Sequence, residues 1–525
     1  MTPRQKSPVS VADLPSLLSQ TGPTLTSDLI EHMVAGGATE AAARQRLARG
    51  LAGPYGEITR LAGLRFRYNA RFVYRTDQFG DRKFWDALER AFASHGPAYG
   101  GVVSVLRARG GSAPKSLFAA ISGVPIARKG QLSPDRILER LSAIQLLKEE
   151  EGEDGVRYVR FGPHHYTLDP APLIRARLLA EQIALQGMQD WVRKVGFGSY
   201  DKVRIRGEGD PPNVANLVWD LSAPSYLRPL VNISESGARP GFVVADINLR
   251  GVLAEDAVRT FIRKCDLAAA PKGIAPILPI LIAESFAPDA YALARKKGIM
   301  ATTISLLLGE AIAKALQELI TLLSDMGATA AVNPDQVERV FGALSRIEGA
   351  AMNLRGPLLE LVVAHVVKEM EKGSVIVGRN VVDQATGRSA DIDVLLIRPD
   401  GAGLLVIECK AKEPGGAISL DAVKKWREDR VPLIHRALRW EPRFTDTRLR
   451  FELWTNAPLD PDAAEWLTKN AQHQPDFELG WRDGSSLRTY AAGAKSQAIS
   501  KMLNEHFYQH PLAKQGSRRA KKATN

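Results

Sequence analysis

The sequence predicts a multidomain α/β protein, and three observations lead to that fold class. At 525 residues, the chain is too long for one hydrophobic core, so several domains are expected. Two stretches alternate apolar runs typical of buried strands with helical patterns, which predicts two sheets covered by helices. Residues 1–170 read instead as small helical units, each closed by a short basic hairpin.

These patterns divide the chain into six segments. The basic tail has no acidic residue, which favours disorder and attraction to nucleic acid, although a merely solvated tail fits as well. The segments are 1–80 and 81–170 for the helical units, 171–325 for the first α/β domain, 326–349 for a connector, 350–510 for the second α/β domain and 511–525 for the tail.

Composition narrows the class of protein. The net charge of +12 and isoelectric point near 9.6 favour nucleic acid as a partner. The two cysteines, Cys265 and Cys409, exclude a disulfide framework and a cysteine-based zinc site. The chain starts with polar residues and has no run of about 18 apolar residues, so we expect a cytoplasmic protein with no membrane partner.

The N-terminal units are predicted from helical periodicity followed by basic, aromatic hairpins. Helices are expected at Val11–Gln20, Thr26–Ala35 and Glu40–Leu51, and arginine alternates with aromatic residues over 65–75. The same plan repeats over 83–161. Residues 1–177 contain 25 basic and 17 acidic residues, a net charge of +8, so these units are the expected DNA-binding part.

This element order resembles tandem winged helices. In that fold the third helix enters the major groove and the wing contacts the DNA backbone, which implies duplex DNA as the partner. A protein-docking winged helix with solvated arginines is the alternative. The resemblance assigns DNA contacts to Arg44, Arg46 and Arg49 on the first unit, Lys115 on the second, and Arg65, Arg67, Arg71 and Arg75 in the wing.

The chemistry is concentrated in an apolar hairpin near the C-terminus. Its strands, Ala390–Leu396 and Leu404–Lys412, carry charges at alternate positions, so Glu408 and Lys410 share one face. Burying such charges is costly unless they pair or hold a metal. Carboxylates suit Mg²⁺, which polarises a phosphate and acidifies a bound water. The alternative is a pair of solvated strands with surface ion pairs.

The hairpin resembles the PD-(D/E)xK nucleases, which have a restriction-endonuclease-like α/β/α fold. Asp393 and Glu408-Cys409-Lys410 carry the resemblance, which covers residues 350–510. It implies that Asp393, Glu408 and the Cys409 carbonyl ligate Mg²⁺ or Mn²⁺, that Lys410 is catalytic, and that Glu360 assists from a helix beginning at Pro357. Asp391 is a supporting residue. No glutamine follows on the next helix, where some relatives have one.

Residues 171–325 repeat this element order, which implies a second, degenerate copy of the fold. Asp246-Ile247-Asn248 stands where the acid-x-lysine would stand, and Asp220 takes the place of the upstream acid. Because Asn248 replaces the lysine, we expect a structural or duplex-binding role without cleavage. A metal held by Asp220 and Asp246 is the alternative.

The sequence therefore predicts a Mg²⁺-dependent DNA endonuclease that its N-terminal units position on duplex DNA, in restriction, phage defence or repair. Two alternatives stay open: a catalytically idle DNA-binding regulator or scaffold, and an RNA nuclease. No helicase or NTPase motif accompanies the nuclease pattern, so ATP is not implied. Cutting both strands with one site per chain would need two protomers, which makes a homodimer one option.

Overall fold

The computed structural model describes residues 14–508, except for 53–57, 153–155, 163–167, 235–236, 272–274, 325–333, 348–349, 400–402, 414 and 472–475. The predicted basic tail and part of the predicted hairpin turn, at Asp400 and Gly401, lie outside the described residues. The chain divides into two compact units. Unit 1 comprises 1–150, 157–169 and 210–301, and unit 2 comprises 151–156, 170–209 and 302–525.

Unit 1 begins with a small helix–sheet arrangement. It contains helices α1 (Leu14–Thr21), α2 (Thr26–Ala35) and α3 (Glu40–Ala52) and strands β1 (Thr24–Leu25), β2 (Ile58–Arg60) and β3 (Phe72–Arg75). Strand β3 lies between β1 and β2 and is antiparallel to both. Leu18, Leu29, Leu47 and Val73 meet in its core, so α3 buries Leu47 and leaves Arg44 and Arg49 exposed.

A second arrangement of the same element order follows the connecting helix α4 (Arg82–His95). It contains helices α5 (Pro97–Ala108), α6 (Phe118–Ser122) and α7 (Pro134–Ala143) and strands β4 (Ser112–Pro114), β5 (Leu147–Glu151) and β6 (Arg157–Phe161), with β6 between the other two strands. In both arrangements a strand follows the first helix and a hairpin follows the third. The third helix here is α7, whereas Lys115 lies in a short 3₁₀ turn that precedes α6.

The segment 170–209 contributes helix α8 (Ala171–Val195) and strand β7 (Arg204–Ile205) to unit 2. Pro172 stands in the first turn of α8, and Gly196, at φ 73°, ends it in the left-handed conformation. The helix packs against a later helix, Glu310–Ser324. The predicted segment 171–325 is therefore divided between the two units, because this packing is not local in sequence.

The larger sheet of unit 1 is built around one long strand. The elements of this segment are β8 (Asn213–Val214), β9 (Leu217–Val218), β10 (Leu221–Ser225), β11 (Asn232–Ser234), β12 (Gly237–Arg239), β13 (Gly241–Leu253), α9 (Glu255–Ala269), β14 (Ile277–Phe286) and α10 (Pro288–Lys296). Strand β13 is antiparallel to β10 and parallel to β14. Helix α9 makes the crossover that a parallel pair requires.

The chain enters unit 2 again within strand β15 (Met300–Thr303). Its further helices are α11 (Ile304–Leu308), α12 (Glu310–Ser324), α13 (Pro334–Leu344), α14 (Ala350–Met370), α15 (Leu420–Lys425), α16 (Val431–Arg439), α17 (Pro461–Asn470), α18 (Gly484–Ala492) and α19 (Gln497–Leu503). Its strands are β16 (Ser374–Val382), β17 (Ser389–Ile397), β18 (Leu404–Lys410), β19 (Leu449–Thr455) and β20 (Glu478–Arg482). None of the described helices in either unit is long and apolar enough to cross a membrane.

These five strands form one mixed sheet in the order β16-β17-β18-β19-β20. The first three strands are antiparallel, and β18, β19 and β20 are parallel. Helix α14 packs on β17 and β18. The apolar side chains of β17 and β18 are buried, as expected for central strands covered by helices.

At two prolines the observed helices differ from the predicted ones. Helix α14 begins at Ala350 and runs through Pro357, whereas the sequence predicts a start at Pro357 because proline is favoured in the first turn. The single helix expected after β18 is interrupted by a π-helical turn, Trp426–Arg430. Pro432 follows that turn and has no N–H to donate to the preceding helical turn, which favours the wider hydrogen bonding.

Candidate active site

The predicted acids of unit 2 meet where β17 and β18 stop pairing. The last pair of the ladder at this end is Val394 with Ile407, so Asp393 and Glu408 stand one step further along. There the carboxylate Oδ2 of Asp393 accepts the backbone N–H of Cys409 at 2.7 Å. A side chain thus takes the N–H that is free to bond at the end of the ladder, which fixes Asp393 beside Glu408.

Glu408 is compensated by two cationic side chains. It is only 4% exposed. Its Oε1 accepts a hydrogen bond from Nζ of Lys410 at 2.6 Å, and its Oε2 accepts one from Nε of Arg430 at 2.9 Å. A buried carboxylate is tolerated only with such partners. The Lys410 side chain is 39% exposed, so its amino group is available to a molecule that approaches from solvent.

The pKa values of Glu360 and Asp393 show how crowded the acids are. Burial raises the pKa of Glu360 well above its usual range, and the charges of Asp393 and Glu408 raise it further. Burial, with the charge of Glu408, raises the pKa of Asp393 to about 7. The three predicted acids are thus close enough to repel one another, a setting that favours an added cation.

The carboxylate oxygens of Asp393 and Glu408 are of the type that a hard divalent ion such as Mg²⁺ prefers. Asp393 and Glu408 keep acceptor capacity, because each carboxylate oxygen can accept more than one bond. The described residues contain no group of three or more His, Cys, Asp or Glu side chains that could hold a metal ion. Mg²⁺ nevertheless commonly uses one or two carboxylates and completes its shell with water and substrate oxygens, which matches the two strand acids.

Arg430 is a site residue that sequence reasoning missed. It extends from the π-helical turn, and its Nη2 also donates to the backbone carbonyl of Asp391 at 2.6 Å. Within the turn, the N–H of Val431 bonds to the carbonyl of Trp426. The proline at position 432 was the available signal, since a proline inside a helical pattern often marks such a turn.

Two further polar contacts support the strand ends. The carboxylate of Asp391, expected as a supporting residue, accepts bonds from Arg175 and Asn380, both at 3.3 Å. Asn456, which follows β19, accepts the N–H of Lys412 at 2.7 Å and donates to its carbonyl at 2.9 Å. Local sequence patterns did not indicate Asn456, because this amide joins two segments that are distant in the chain.

Unit 1 contains the same acid arrangement at the same place in its sheet. Leu221 pairs with Ala245, so Asp220 and Asp246 stand one step beyond the pairing of β10 with β13. Oδ2 of Asp220 accepts the N–H of Ile247 at 2.9 Å. The bond therefore repeats the one from Cys409 to Asp393, with the donor again directly after the second acid.

A lysine absent from the strand of unit 1 is supplied by a helix. Asn248 stands in the strand position, as the sequence shows, but Lys264 of α9 places its Nζ 2.5 Å from Oδ2 of Asp246. Lys264 is 2% exposed, donates to the carbonyl of Ala120 and lies 4.3 Å from the centre of the Trp219 ring. A lysine therefore lies beside Asp246, although it comes from a helix and not from the strand position that Asn248 occupies.

Polar side chains around this second acid pair form hydrogen bonds within the fold, although the buried Oδ1 of Asn248 has no hydrogen-bond partner. Asn248 donates to the carbonyl of Ala108 at 3.2 Å, and Arg109 donates to that of Ile247 at 2.5 Å. Burial raises the pKa of Asp246, against the attraction of Lys264. The adjoining cavity is only about 50 Å³. Lys264 and Asp246 thus form an ion pair in which the lysine is buried and the aspartate is half-buried.

The predicted DNA-contact residues of α3 and β3 lie at the surface to different degrees. Arg44 is exposed and pairs with Glu40 at 2.7 Å. Arg49 is also exposed, and Arg46 is half-buried. Arg75 is held by Asp77 and Ser19, so only part of this predicted set extends into solvent.

The loop between β2 and β3 exposes the remaining predicted wing residues. Arg65, Arg67 and Arg71 are exposed. Tyr68, between them, has φ 57° and is 89% exposed, so a left-handed turn presents an aromatic ring among three cations. Lys115, in contrast, pairs with Glu149 at 2.6 Å and does not lie on the third helix of its arrangement.

Comparison of this chain with protein-family models, with curated proteins and with solved structures gave no match.

Proposed function

We propose that this chain is a divalent-metal-dependent nuclease that hydrolyses DNA at the acid–lysine site of unit 2. One observation carries the proposal: Asp393 and Glu408 face each other beyond the end of a strand pair, with the amino group of Lys410 2.6 Å from Glu408. A buried glutamate and a half-buried aspartate beside a partly exposed lysine match the needs of phosphodiester hydrolysis.

Each side chain of the site has a chemical task under this proposal. Asp393 and Glu408, with the carbonyl of Cys409, would hold Mg²⁺ or Mn²⁺, which would polarise the phosphate and acidify a water. Lys410 orients the attacking water or stabilises negative charge that develops on the phosphate. Glu360 keeps its proton to a higher pH than an ordinary glutamate, which suits it to proton transfer.

Duplex DNA is the proposed substrate because of the N-terminal half of unit 1. The order of three helices and a hairpin occurs twice there, and it resembles the order in winged helices, which commonly bind duplex DNA. The exposed arginines around Tyr68 suit contacts to backbone phosphates. The net charge of +12 supports nucleic acid in general, so RNA is kept as an experimental comparison.

A second candidate function is a catalytically idle DNA-binding protein. The observation in its favour is the acid pair of unit 1, where Nζ of Lys264 lies 2.5 Å from Oδ2 of Asp246 and so compensates its charge. In unit 2, Glu408 is likewise paired with Lys410 and Arg430. Metal binding separates the two candidates, because an idle site has no need of an ion.

The test is a cleavage assay with a panel of substrates and ions. Supercoiled plasmid, linear duplex, single-stranded DNA and single-stranded RNA are incubated with Mg²⁺, Mn²⁺, Ca²⁺ or EDTA. The proposal predicts nicked or linear DNA with Mg²⁺ or Mn²⁺ and none with EDTA. DNA binding without cleavage in any ion would favour the idle DNA-binding protein instead.

A further inference from the structure

A second cavity of unit 1 is lined by arginines and lies apart from both acid pairs. Its volume is about 250 Å³, and α4, α5 and α9 form its walls. This is room for several water molecules and hence for a compact polar ligand. The polar residues that line it are Glu89, Ser104, Arg107, Asp256, Arg259, Thr260 and Arg263.

Two of the three lining arginines have carboxylate partners. Arg107 lies 2.5 Å from Glu89 and 3.7 Å from Asp256, and Arg259 lies 2.5 Å from Glu255. The hydroxyls of Ser104 and Thr260 bond to each other at 2.9 Å. These groups therefore have internal partners and set the walls of the cavity.

Arg263 is the exception. Its Nη1 is buried and has no hydrogen-bond partner, and no ion pair joins it to another residue among those that the structure describes. A buried N–H without an acceptor costs about 1–3 kcal/mol. Arg263 thus presents a donor to the cavity that a bound acceptor would satisfy.

The positive charge of Arg67 also favours an anion near Arg263. Burial lowers the pKa of Arg263, and the positive charge of Arg67 lowers it further. Arg67 is exposed in the loop that carries Tyr68. Two guanidinium groups near each other repel, and an anion between or beside them removes that repulsion.

We propose that this cavity binds a phosphate group through Arg263, with Arg67 contributing its charge. The planar guanidinium matches the oxygens of phosphate, to which it donates two parallel hydrogen bonds. The phosphate belongs either to a nucleic-acid backbone or to a free phosphorylated molecule. This inference goes beyond the proposed nuclease activity, because no residue of the candidate active site takes part.

Inorganic phosphate is the direct probe. Calorimetry and thermal unfolding are measured on the full chain in phosphate and in chloride at equal ionic strength. Arg263→Gln is expected to weaken phosphate binding at least tenfold. Arg82→Gln, at a 94% exposed position on α4, removes the same charge and is expected to bind as the parent does.

The outcomes decide the proposal. If the parent shows no phosphate-dependent change, or if Arg263→Gln binds phosphate as the parent does, the proposal is overturned. If Arg263→Gln does not fold, the exposed Arg67→Gln takes its place, with weaker phosphate binding as the supporting result and unchanged binding as the contrary one.

Fluorescence anisotropy with a labelled duplex distinguishes the two sources of phosphate. A backbone phosphate at this site predicts that Arg263→Gln weakens duplex binding and that inorganic phosphate competes with the duplex. A free phosphorylated ligand predicts that duplex binding is unchanged while phosphate binding is lost. Both results support a phosphate site. If Arg263→Gln loses neither phosphate binding nor duplex binding, the phosphate site is contradicted.

Discussion

Arg430 donates its Nε to Oε2 of Glu408 at 2.9 Å, and this contact joins the strand of the candidate site to a π-helical turn. Lys410 holds the other oxygen of Glu408. Two side-chain cations thus stand where a divalent ion would also be attracted. Arg430 and the proposed metal therefore share Glu408, which gives the first prediction.

Replacing Arg430 is expected to destabilise the protein most in the absence of metal. Arg430→Gln leaves the buried Glu408 with one cation, which we expect to cost about 1–3 kcal/mol and to lower the melting temperature by a few degrees. Mg²⁺ is expected to stabilise this variant more than the parent, because it replaces the lost charge. Scanning fluorimetry in EDTA and in Mg²⁺ measures both effects.

Arg388→Gln is the control for that measurement. Arg388 is largely exposed and pairs with Asp429 of the same turn, so its loss is expected to change little. Equal melting temperatures for Arg430→Gln and the parent in EDTA would show that Arg430 does not compensate Glu408.

The raised pKa of Asp393 predicts that its replacement by asparagine increases the stability of the folded protein in a pH-dependent way. Its pKa is raised from 3.8 to about 7, so its contribution makes the folded state less stable as pH rises between these values. Asp393→Asn keeps an acceptor for the Cys409 N–H. We therefore expect it to raise the melting temperature at pH 8 by more than at pH 5, when measured without metal.

The effect of Mg²⁺ on this stabilisation tests whether repulsion among the acids causes it. At pH 8, Mg²⁺ is expected to stabilise the parent and not Asp393→Asn. Asp421→Asn, at an exposed position on α15, should show neither effect. A gain for Asp393→Asn that is equal at both pH values would exclude repulsion among the acids as its source.

The acid pair of unit 1 is expected to affect stability and not cleavage. Lys264→Met leaves the half-buried Asp246 without its cation, which we expect to cost about 1–3 kcal/mol. Adding Asp246→Asn should recover part of that loss, and urea unfolding measures both. Asp246→Asn alone should leave metal-dependent cleavage within a few fold. Loss of cleavage in that folded variant would assign catalysis to this pair as well.

The loop between β2 and β3 is expected to set the salt dependence of duplex binding. Each neutralised phosphate contributes about −0.9 to the slope of log affinity against log salt concentration. Replacing Arg65, Arg67 and Arg71 by glutamine should therefore make the slope less steep by about 2 to 3. Anisotropy titrations between low and moderate salt measure this slope.

A matched triple variant separates specific contacts from net charge. Arg82, Arg388 and Arg448 are exposed and paired with carboxylates, so their replacement by glutamine removes the same charge from other surfaces. The slope of this variant should stay close to that of the parent. Equal slopes for both triple variants would assign the effect to net charge and not to the loop.

Local patterns predicted the strands and acids of unit 2 because both are encoded within a few residues. The alternation around Asp393 and Glu408 places these acids on a hairpin, and the structure brings them together with Glu360. Arg430 and Lys264 were missed because their partners are distant in sequence. A lysine in an amphipathic helix is ordinarily predicted to be exposed to solvent. Only the folded structure shows that Lys264 lies beside Asp246.

Domain boundaries were harder to predict for the same reason. Helix α8 was expected with the strands that follow it, but it belongs to unit 2. Its partner α12 lies more than a hundred residues away in the chain, and periodicity alone does not identify which helix covers a given apolar face. The repeated acid geometry at Asp220 and Asp393 became visible only with the strand register.

The most direct test of the central claim compares Lys410→Met with Lys425→Met in plasmid cleavage at saturating Mg²⁺. Lys425 is exposed on α15, so its replacement removes the same charge away from the acids. We expect Lys410→Met to lower the cleavage rate at least a hundredfold. One group that acts in general acid–base or electrostatic catalysis typically accelerates a reaction by about this factor. Lys425→Met should cleave at the parent's rate, and both variants should bind duplex DNA. A folded Lys410→Met protein that cleaves as fast as the parent would contradict the account.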